Sequence, residues 1–455
     1  APKEEVIEDL TYIARRIKKV CPNIGALCIA DPNFAMYKRD IEISAHIGEL
    51  QKSYSWPSII DASTGKNVPQ SIIKSVERTN GALEMLHAVQ SMDDTVLKSI
   101  KRSNIKTDGY SKVTKHLNSK GMRTQSQTIL GLPQETLKGH LAGLNKLVDE
   151  GIDYLQNFQL YLLKGCEMES QNDRDKFGFE SRFRLSPGGF GSYGEALVFD
   201  LEEVVISTNT LSYDDYIQAR KHHIGYGITW NQDLFNDFFY YAKNLGIKFS
   251  DCVEAVIQAM DTDDGLAGKI MSDFINETEG ELFLTPEGCF KFYSEESNFK
   301  KLKSGESGGN LQNKYRAIAS FLLWPEVCQL VSQVVKNLIK TRVDNKLDPE
   351  FDKFWKDLHS FVEAKHASGQ SADEILKPVS RELQYDIPQW ISDGYPNSLS
   401  LYKLEDAPRK FMFALSAISA KELKSGLDTW STNICGLSRI IRNCKVTCQT
   451  RSEEH

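Results

Sequence analysis

The first third of the chain alternates between segments whose apolar residues recur at helical spacing and shorter runs with the pattern of strands. In the opening segment, Pro2 to Lys19, Val6, Leu10 and Ile17 fall on one helical face, and acidic residues precede basic ones. The runs typical of buried strands lie at Ile24 to Ala30, Pro57 to Ile60, Leu83 to Val89, Arg123 to Leu130 and Tyr154 to Leu163.

Helical segments separate these runs, so strand and helix alternate about five times at intervals of roughly 30 residues. This rhythm predicts βαβ units and therefore a parallel sheet of the α/β class. The number and length of the units favour a barrel or partial barrel over an open, doubly wound sheet. Periodicity alone does not separate the two architectures.

The rhythm changes after about Gln171. The stretch Arg182 to Gly194 is rich in Gly, Pro and Arg and predicts an ordered loop, whereas Ala196 to Thr208 predicts a last strand. A capping box at Ser212 to Asp215 then opens a region in which helical patterns dominate.

Two features interrupt the helical region. We predict a small hairpin near residues 281–293, with a turn at Pro286-Glu287-Gly288, and a flexible linker near residues 303–310, where the sequence is KSGESGGN. The chain is therefore expected to divide into a partial (β/α) barrel, residues 1–210, and a mainly helical C-terminal region, residues 211–455.

Composition and charge limit the class of protein. Hydrophobic residues make up 40% of the 455 residues and charged residues 26%, which permits a packed core. The net charge of −7 gives no general attraction to nucleic acid or anionic membranes. There is no apolar run of about 20 residues and no signal-peptide pattern, so we expect a cytoplasmic protein without nucleic-acid or membrane partners. Nine scattered cysteines predict free thiols rather than disulfides.

In a parallel barrel, ligands bind at the carboxyl ends of the strands. The polar residues that end the predicted strands are Asp31, Asn33, Asp61, Ser63, Gln90, Ser91, Gly131 to Glu135, Gln156 and Gln159. These side chains are small and mostly uncharged, which suits hydrogen bonding to a polar cofactor. They include no obvious pair of catalytic carboxylates and no nucleophile with a base beside it. The segment around Gly131 is also compatible with an ordinary strand-to-helix turn.

An ordered series of motifs resembles the radical S-adenosylmethionine superfamily, in particular the group whose members often carry a cobalamin-binding domain before the barrel. The resemblance covers about residues 2–220. The motifs, in order, are Ile29-Ala30-Asp31-Pro32-Asn33-Phe34, Trp56-Pro57, Thr64-Gly65-Lys66-Asn67, Val89-Gln90-Ser91-Met92-Asp93, Lys101-Arg102-Ser103-Asn104 and Ile129-Leu130-Gly131-Leu132-Pro133-Gln134-Glu135-Thr136.

This resemblance implies both a fold and a reaction. In the family, a barrel holds a 4Fe-4S cluster on three cysteines spaced C-x3-C-x2-C. S-adenosylmethionine binds the fourth iron and is cleaved to a 5′-deoxyadenosyl radical, which abstracts hydrogen from the substrate. Members of the cobalamin group commonly transfer methyl groups to unreactive carbon. The substrate, whether a small molecule or a peptide, is not indicated by the sequence.

The resemblance also implies cofactor contacts. Asp31 and Asn33 correspond to residues that contact the methionyl amino group, and Gln90 and Ser91 to residues that contact the ribose. The residues Ile129, Gly131 and Glu135 correspond to the region that flanks the adenine. The match is partial, because Gln127 stands where the first Gly of that motif would be, and the Asp31 region departs from the commoner Gly-Gly-Glu-Pro pattern.

The sequence contains no C-x3-C-x2-C. In the family, a helix like Pro2 to Lys19 directly follows the cluster loop, which predicts that this chain is a fragment of a longer enzyme. The alternative is a naturally shortened relative that binds S-adenosylmethionine, or only keeps the fold, without catalysis. An unrelated barrel hydrolase or lyase is disfavoured, because the strand ends offer no carboxylate pair or lysine.

Two further groups of residues bear on ligand binding. Arg182, Arg184 and the Gly188-Gly189 loop indicate either a site for an anionic substrate or an ordered loop in solvent. His222 and His223 are adjacent on a predicted helix, and adjacent residues do not share a helical face, which argues against joint metal binding.

Overall fold

The computed structural model describes residues 2–21, 24–64, 69–102, 107–343, 347–369, 371–405, 407–430, 434–443 and 448–452. The chain divides into two compact units. The first comprises Ala1–Leu132 and Ala142–Phe158, and the second comprises Pro133–Leu141 and Gln159–His455. A domain boundary near residue 210 stays a prediction. The motif residues 65–67 and 103–104 lie outside the described part of the chain.

Helices and strands alternate in the first unit, as the spacing of apolar residues predicts. The strands are β1 (Ala26–Phe34), β2 (Ile59–Thr64), β3 (Met85–Gln90), β4 (Thr124–Leu130) and β5 (Tyr154–Gln159). The helices are α1 (Lys3–Val20), α2 (Lys38–Tyr54), α3 (Pro69–Arg78), α4 (Asp94–Ser99), α5 (Thr107–Asn118) and α6 (Leu137–Asp149). The α/β class is therefore confirmed, and the predicted strands are present with ends shifted by a few residues.

Neighbouring strands at the start of the unit are parallel. Strand β1 pairs with β2, beginning with Ala26 beside Ile59. A parallel bridge between Ile60 and Leu83 then joins β2 to the segment that leads into β3. Each strand therefore lies beside the next one along the chain, with a helix between them in sequence.

The same order continues through the rest of the unit. Strand β3 pairs in parallel with β4, and β5 lies on the other side of β4. Side-chain hydrogen bonds join Gln127 to Gln156 and Thr128 to Asn157, and both pairs are 29 residues apart. Because the offset is constant, β4 and β5 run in the same direction. The spatial order of the five strands is thus their order in the sequence.

Helix packing against these strands builds the core of the first unit. Helix α1 buries Leu10 and Ala14, and it carries acids in its first turn and lysines in its last, which complements the helix dipole. Helices α2 and α3 approach very closely at Gly48, where an added Cβ would lie 2.3 Å from the carbonyl oxygen of Arg78. A glycine at this position is therefore required for the observed packing.

The second unit is mostly helical. Its helices are α7 (Gln171–Phe177), α8 (Tyr213–Thr229), α9 (Asn236–Asn244), α10 (Phe249–Thr262), α11 (Leu266–Gly280), α12 (Pro286–Ser294), α13 (Glu296–Ser304), α14 (Leu311–Ala317), α15 (Trp324–Val343), α16 (Phe351–Ala364), α17 (Ala372–Leu376), α18 (Ile387–Ser392), α19 (Ala417–Trp430) and α20 (Ile434–Asn443). Its strands are β6 (Glu180–Tyr193), β7 (Ala196–Ser207), β8 (Val379–Leu383), β9 (Arg409–Leu415) and β10 (Cys448–Ser452).

Two local predictions in this unit are wrong. The stretch predicted as a loop, residues 182–194, is strand β6, and it pairs antiparallel with β7 rather than leaving β7 as the last strand of a parallel series. The predicted hairpin near residues 281–293 is replaced by helix α12, because Thr285 caps the helix and Pro286 occupies its first turn. The linker near residues 303–310 stays a prediction: α13 ends at Ser304, and the Gly308 carbonyl accepts a hydrogen bond from the Gly188 amide.

Stacked aromatic side chains hold the helices of the second unit together. The ring of Phe238 on α9 stacks on Trp355 of α16 with centroids 5.1 Å apart. Trp390 on α18 meets Phe354 edge-on at 4.8 Å, and it meets Tyr241 at 5.4 Å. Such contacts bury large apolar areas with defined geometry, so they fix three helices that are distant in sequence.

Apolar helices of this unit are short or interrupted. Within the described ranges, no single helix has the length and apolar composition of a membrane span. The pair Leu311–Leu322 and Trp324–Val343 reaches that length and composition only when taken together, and it is bent by 91°.

The contact at Gly48 leads to a stability prediction. Replacing Gly48 with Ala forces a methyl group against the rigid backbone of α3, so we expect the free energy of unfolding to fall by about 1–3 kcal/mol. Urea denaturation followed by circular dichroism measures the change. Gly280→Ala is the matched control, since an added Cβ there meets no atom within 4 Å and is expected to be neutral or slightly stabilising. Equal stabilities for the two variants would contradict the close approach of α2 and α3.

Candidate functional site

The carboxyl end of β1 contains Asp31 and Asn33, two of the predicted cofactor contacts. The pairing of β1 with β2 is regular as far as Ile29 and then shifts before Phe34, so both polar residues lie in an irregular segment of the strand. Asp31 accepts a hydrogen bond from the backbone amide of Asn33 at 2.9 Å, and the Asn33 side chain is exposed. Such bulges re-aim side chains and are common beside active sites.

The carboxyl end of β3 carries a second irregularity. Gln90 lies beside Thr128 of β4 after a shift in register, and its backbone is left-handed with φ of 60°. The left-handed conformation costs a residue with a Cβ about 1 kcal/mol, and such strain is concentrated at functional positions. The next residue, Ser91, is buried and accepts a hydrogen bond from the Asp93 amide. The Asp93 side chain in turn caps α4.

One face of β4 is polar although it is buried. Thr124, Ser126 and Thr128 alternate with more accessible residues, and each of the three is at most 3% exposed. The hydroxyl of Thr128 donates to Asn157 Oδ1 at 2.8 Å, and Asn157 is also buried. Burying polar side chains without hydrogen-bond partners costs free energy. The three side chains, called the polar lining of β4 below, are therefore a specific feature of the folded interior.

Ile129 and Gly131 lie at the end of the same strand. Ile129 is half-buried on the opposite side of β4 from Thr128, while Gly131 is buried with φ of 90°. Only glycine adopts this backbone readily, which allows the chain to turn sharply out of β4.

The strand order decides which predicted contacts come together. Gln90 and the end of β4 are adjacent, whereas Asp31 is separated from Gln90 by β2. At about 4.8 Å between neighbouring strands, the ends of β1 and β4 are about 14 Å apart along the sheet. A molecule of nucleotide size is long enough to contact both.

Glu135 belongs to the second unit, where its carboxylate is the first member of a chain of buried hydrogen bonds. Its carboxylate is 1% exposed and lies 3.0 Å from Nδ1 of His140. The Nε2 atom of His140 lies 2.8 Å from Nε2 of His223, which is fully buried on α8. The hydroxyl of Thr210 donates to the Glu135 carbonyl at 2.7 Å. The sequence analysis missed this Glu135–His140–His223 chain, because His140 and His223 are 83 residues apart.

The hydrogen bonds along this chain restrict where the protons lie. The bond between the two Nε2 atoms requires one of them to donate and the other to accept. If neutral His140 donates from Nδ1 to Glu135, then His223 donates from Nε2 and its Nδ1 is an acceptor. If His140 carries both protons, His223 accepts at Nε2 and its Nδ1 becomes a donor. That Nδ1 has no hydrogen-bond partner among the described residues.

The two arginines of β6 donate hydrogen bonds to other groups of the same chain. Arg184 donates to Glu281 at 2.7 Å, to Glu202 at 3.1 Å and to the Tyr161 hydroxyl at 2.6 Å. Burial acts to lower the pKa of Arg184, but the Glu281 carboxylate and the other acceptors raise it above its ordinary value. Arg182 donates to the carbonyl of Ser181. The stretch is therefore ordered by internal contacts.

A metal or iron–sulfur cluster has no fitting ligand set in the part of the chain that the structure describes. No group of three or more His, Cys, Asp or Glu side chains there is arranged to hold a metal ion. Cys21, Cys28 and Cys166 are exposed, and three other described cysteines are buried singly. Burial raises the pKa of the Cys289 thiol to about 12, which disfavours the thiolate that iron requires.

The buried histidine of α8 leads to a pH prediction. Burial, with the nearby charges of His140, Arg220 and His222, holds the pKa of His223 well below its ordinary value. At this position the folded protein therefore binds fewer protons than the unfolded chain below about pH 6.5, and the contribution of His223 to stability falls as the pH falls. The substitution His223→Gln keeps a polar group near the position of Nε2. We expect it to reduce the slope of the free energy of unfolding against pH by about 1.4 kcal/mol per pH unit between about pH 6 and 5.

Urea unfolding at several pH values measures this slope. His116→Gln is the matched control, because it removes an exposed histidine and leaves the buried chain intact. If the pH dependence of His223→Gln equals that of the wild type, His223 is not held neutral by burial.

Comparison with known proteins identifies two relatives, and no protein family model matches the chain. The cobalamin-dependent radical SAM methyltransferase TokK of Streptomyces tokunonensis is 25% identical over 224 residues. The 2-(S-pantetheinyl)-carbapenam-3-carboxylate methyltransferase of Streptantibioticus cattleyicolor is 22% identical over 224 residues. Each match covers 48% of this chain and only 31% of the relative. At this level, the matches support a relation to the radical SAM superfamily.

Proposed function

We propose that the first unit is part of a (β/α) barrel of the radical S-adenosylmethionine type. The observation that carries the proposal is the order of its five strands, which are parallel neighbours in sequence order. Crossover connections between parallel strands are right-handed, so strands added always on the same side put every helix on one face. A sheet covered on one face only can curl into a barrel, unlike a doubly wound sheet.

S-adenosylmethionine is proposed to bind across the carboxyl ends of these strands. Asp31 and Asn33 would hold the methionyl end, Gln90 and Ser91 the ribose, and Ile129 with Gly131 the adenine. The fit to this ligand is supported by the polar lining of β4, by the two strand irregularities and by the left-handed Gln90. Glu135, implied by the resemblance as an adenine contact, is not part of this proposed site, since its carboxylate is buried against the ring of His140.

In a radical SAM enzyme, S-adenosylmethionine bound to a reduced 4Fe-4S cluster supplies a 5′-deoxyadenosyl radical. The described residues do not fit the cluster, so we assign no step of the reaction to it. The proposed work of this chain is to bind and orient S-adenosylmethionine and to keep water away from it. The buried hydrogen bond between Thr128 and Asn157 supports that role, because it holds the polar lining in one arrangement.

The proposed reaction is a cobalamin-dependent methyl transfer to a small molecule. Its support is the name of TokK and the methyltransferase activity named for the second relative. No residue of this chain is assigned to cobalamin. The chain is also proposed to be part of a longer enzyme, since its match spans less than a third of each relative. An in-frame C-x3-C-x2-C in the DNA directly before the codon for Ala1 would support this proposal, and a stop codon there would contradict it.

Gln90 offers a direct test of the cofactor site. In Gln90→Gly, the left-handed backbone is relieved of strain while the side chain that would contact the ribose is lost. We expect an unchanged or higher Tm and an affinity for S-adenosylmethionine weakened about 10-fold, as for one lost hydrogen bond. Isothermal titration calorimetry of the purified chain measures the affinity.

Ser55→Gly is the matched control for this test. Ser55 is also left-handed, with φ of 54°, but it follows α2 and precedes β2, at the opposite end of the strands. Its affinity for S-adenosylmethionine should equal that of the wild type. If the wild type releases or absorbs no heat with S-adenosylmethionine, the chain keeps only the fold, and the proposed binding is wrong.

A further inference from the structure

Arg220 on helix α8 is a buried cation without a counter-ion of its own. It is 2% exposed, and its Nε and Nη1 atoms have no hydrogen-bond partner among the described residues. Its guanidinium lies over the ring of Phe274 with 5.1 Å to the centroid. The ring fixes the plane of the guanidinium, but it cannot accept hydrogen bonds from the edge, where the donors are.

The carboxylate whose charge acts on Arg220 is already engaged by another arginine. Glu281, whose charge acts on Arg220, accepts from Arg184 at 2.7 Å. Glu202 also accepts from Arg184, and its other oxygen accepts from Ser186 at 3.0 Å. The Tyr161 hydroxyl accepts from Arg184 as well. A buried guanidinium that finds no acceptor is strongly unfavourable, so an oxygen-rich anion from outside the described chain would be stabilised here.

A second donor lies on the same face of α8. Tyr216, Arg220 and His223 are four and three residues apart, so their side chains project in nearly the same direction. The Tyr216 hydroxyl is committed to Gln159, but Nδ1 of His223 has no partner among the described residues. When His140 carries both protons, this Nδ1 is a donor and completes a set that faces an anion.

We propose that Arg220, assisted by His223, forms a buried binding site for an oxyanion, a carboxylate or a phosphate carried by a small molecule. The guanidinium supplies a permanent charge and several donors in a fixed plane, which matches the planar or tetrahedral oxygens of these groups. The narrow exposure of Arg220 favours a single charged group rather than a macromolecular surface. This inference does not depend on the proposed radical chemistry.

Thermal unfolding of the full chain in sodium acetate, in sodium phosphate or with S-adenosylmethionine tests the site, with sodium chloride at equal ionic strength as the reference. We expect the wild-type Tm to rise by about 1–2 °C for each tenfold increase of a bound anion above its half-saturation concentration. The three arms separate a carboxylate, a phosphate and the cofactor itself. Acetate or phosphate can succeed even if S-adenosylmethionine binds elsewhere or not at all.

Arg220→Met is the decisive variant. Since it removes a buried cation without an acceptor, its Tm in chloride should equal or exceed that of the wild type, and the response to the anions should vanish. Arg182→Met is the matched control, because Arg182 donates to a backbone carbonyl and should leave the response unchanged. If Arg220→Met does not fold, Arg220→Lys is measured in its place. We expect this variant to need an anion concentration at least about 3-fold higher for half-saturation. An equal response in the wild type and the folded Arg220 variant overturns the site, as does a wild type without any response.

Discussion

Parallel hydrogen bonding between sequential strands is the constraint on which the first unit depends. It fixes the direction of every strand, and so all carboxyl ends lie on one edge of the sheet, whatever side chains they carry. The register then sets which residues meet there: Gln90 beside Thr128, and the end of β1 beside β2. The irregular pairing at the ends of β1 and β3 is tolerated only because the rest of each strand is held in place. The candidate site is thus built by the sheet and adjusted locally at its rim.

The alternation of strands and helices in the first unit could be predicted because each element carries its own signal. Helix α1 shows apolar residues at helical spacing with charges that suit its dipole, and β4 is a short strand-like run that is followed by Gly131. Candidate contacts at strand ends follow from the same reasoning, since the end of a strand is visible in the sequence. The left-handed backbone of Gln90 could not be predicted from the sequence, because glutamine has no preference for that conformation.

The failures share a physical cause. Strand β6 contains Pro and Gly residues that usually end strands, yet pairing with the long β7 overrides that local tendency. At residues 285–288, Thr, Pro, Glu and Gly are typical both of a turn and of a helix start, and packing decides for the helix. The Glu135–His140–His223 chain and the position of Arg220 depend on contacts between segments far apart in sequence. No local pattern specifies them.

The rings of His140 and His223 connect Glu135 to helix α8 through a chain of hydrogen bonds, and this chain allows two arrangements of its protons. In one arrangement every hydrogen bond points toward the carboxylate, and in the other the bond between the rings is reversed. Passing from the first to the second adds one proton at Nδ1 of His223 and moves the Nε2 hydrogen of His223 to Nε2 of His140, while the heavy atoms stay in position. The protonation of His140, beside the start of α6, is therefore coupled to Nδ1 of His223 in the middle of α8, which changes from an acceptor to a donor. A rigid core can in this way transmit a signal without any conformational change.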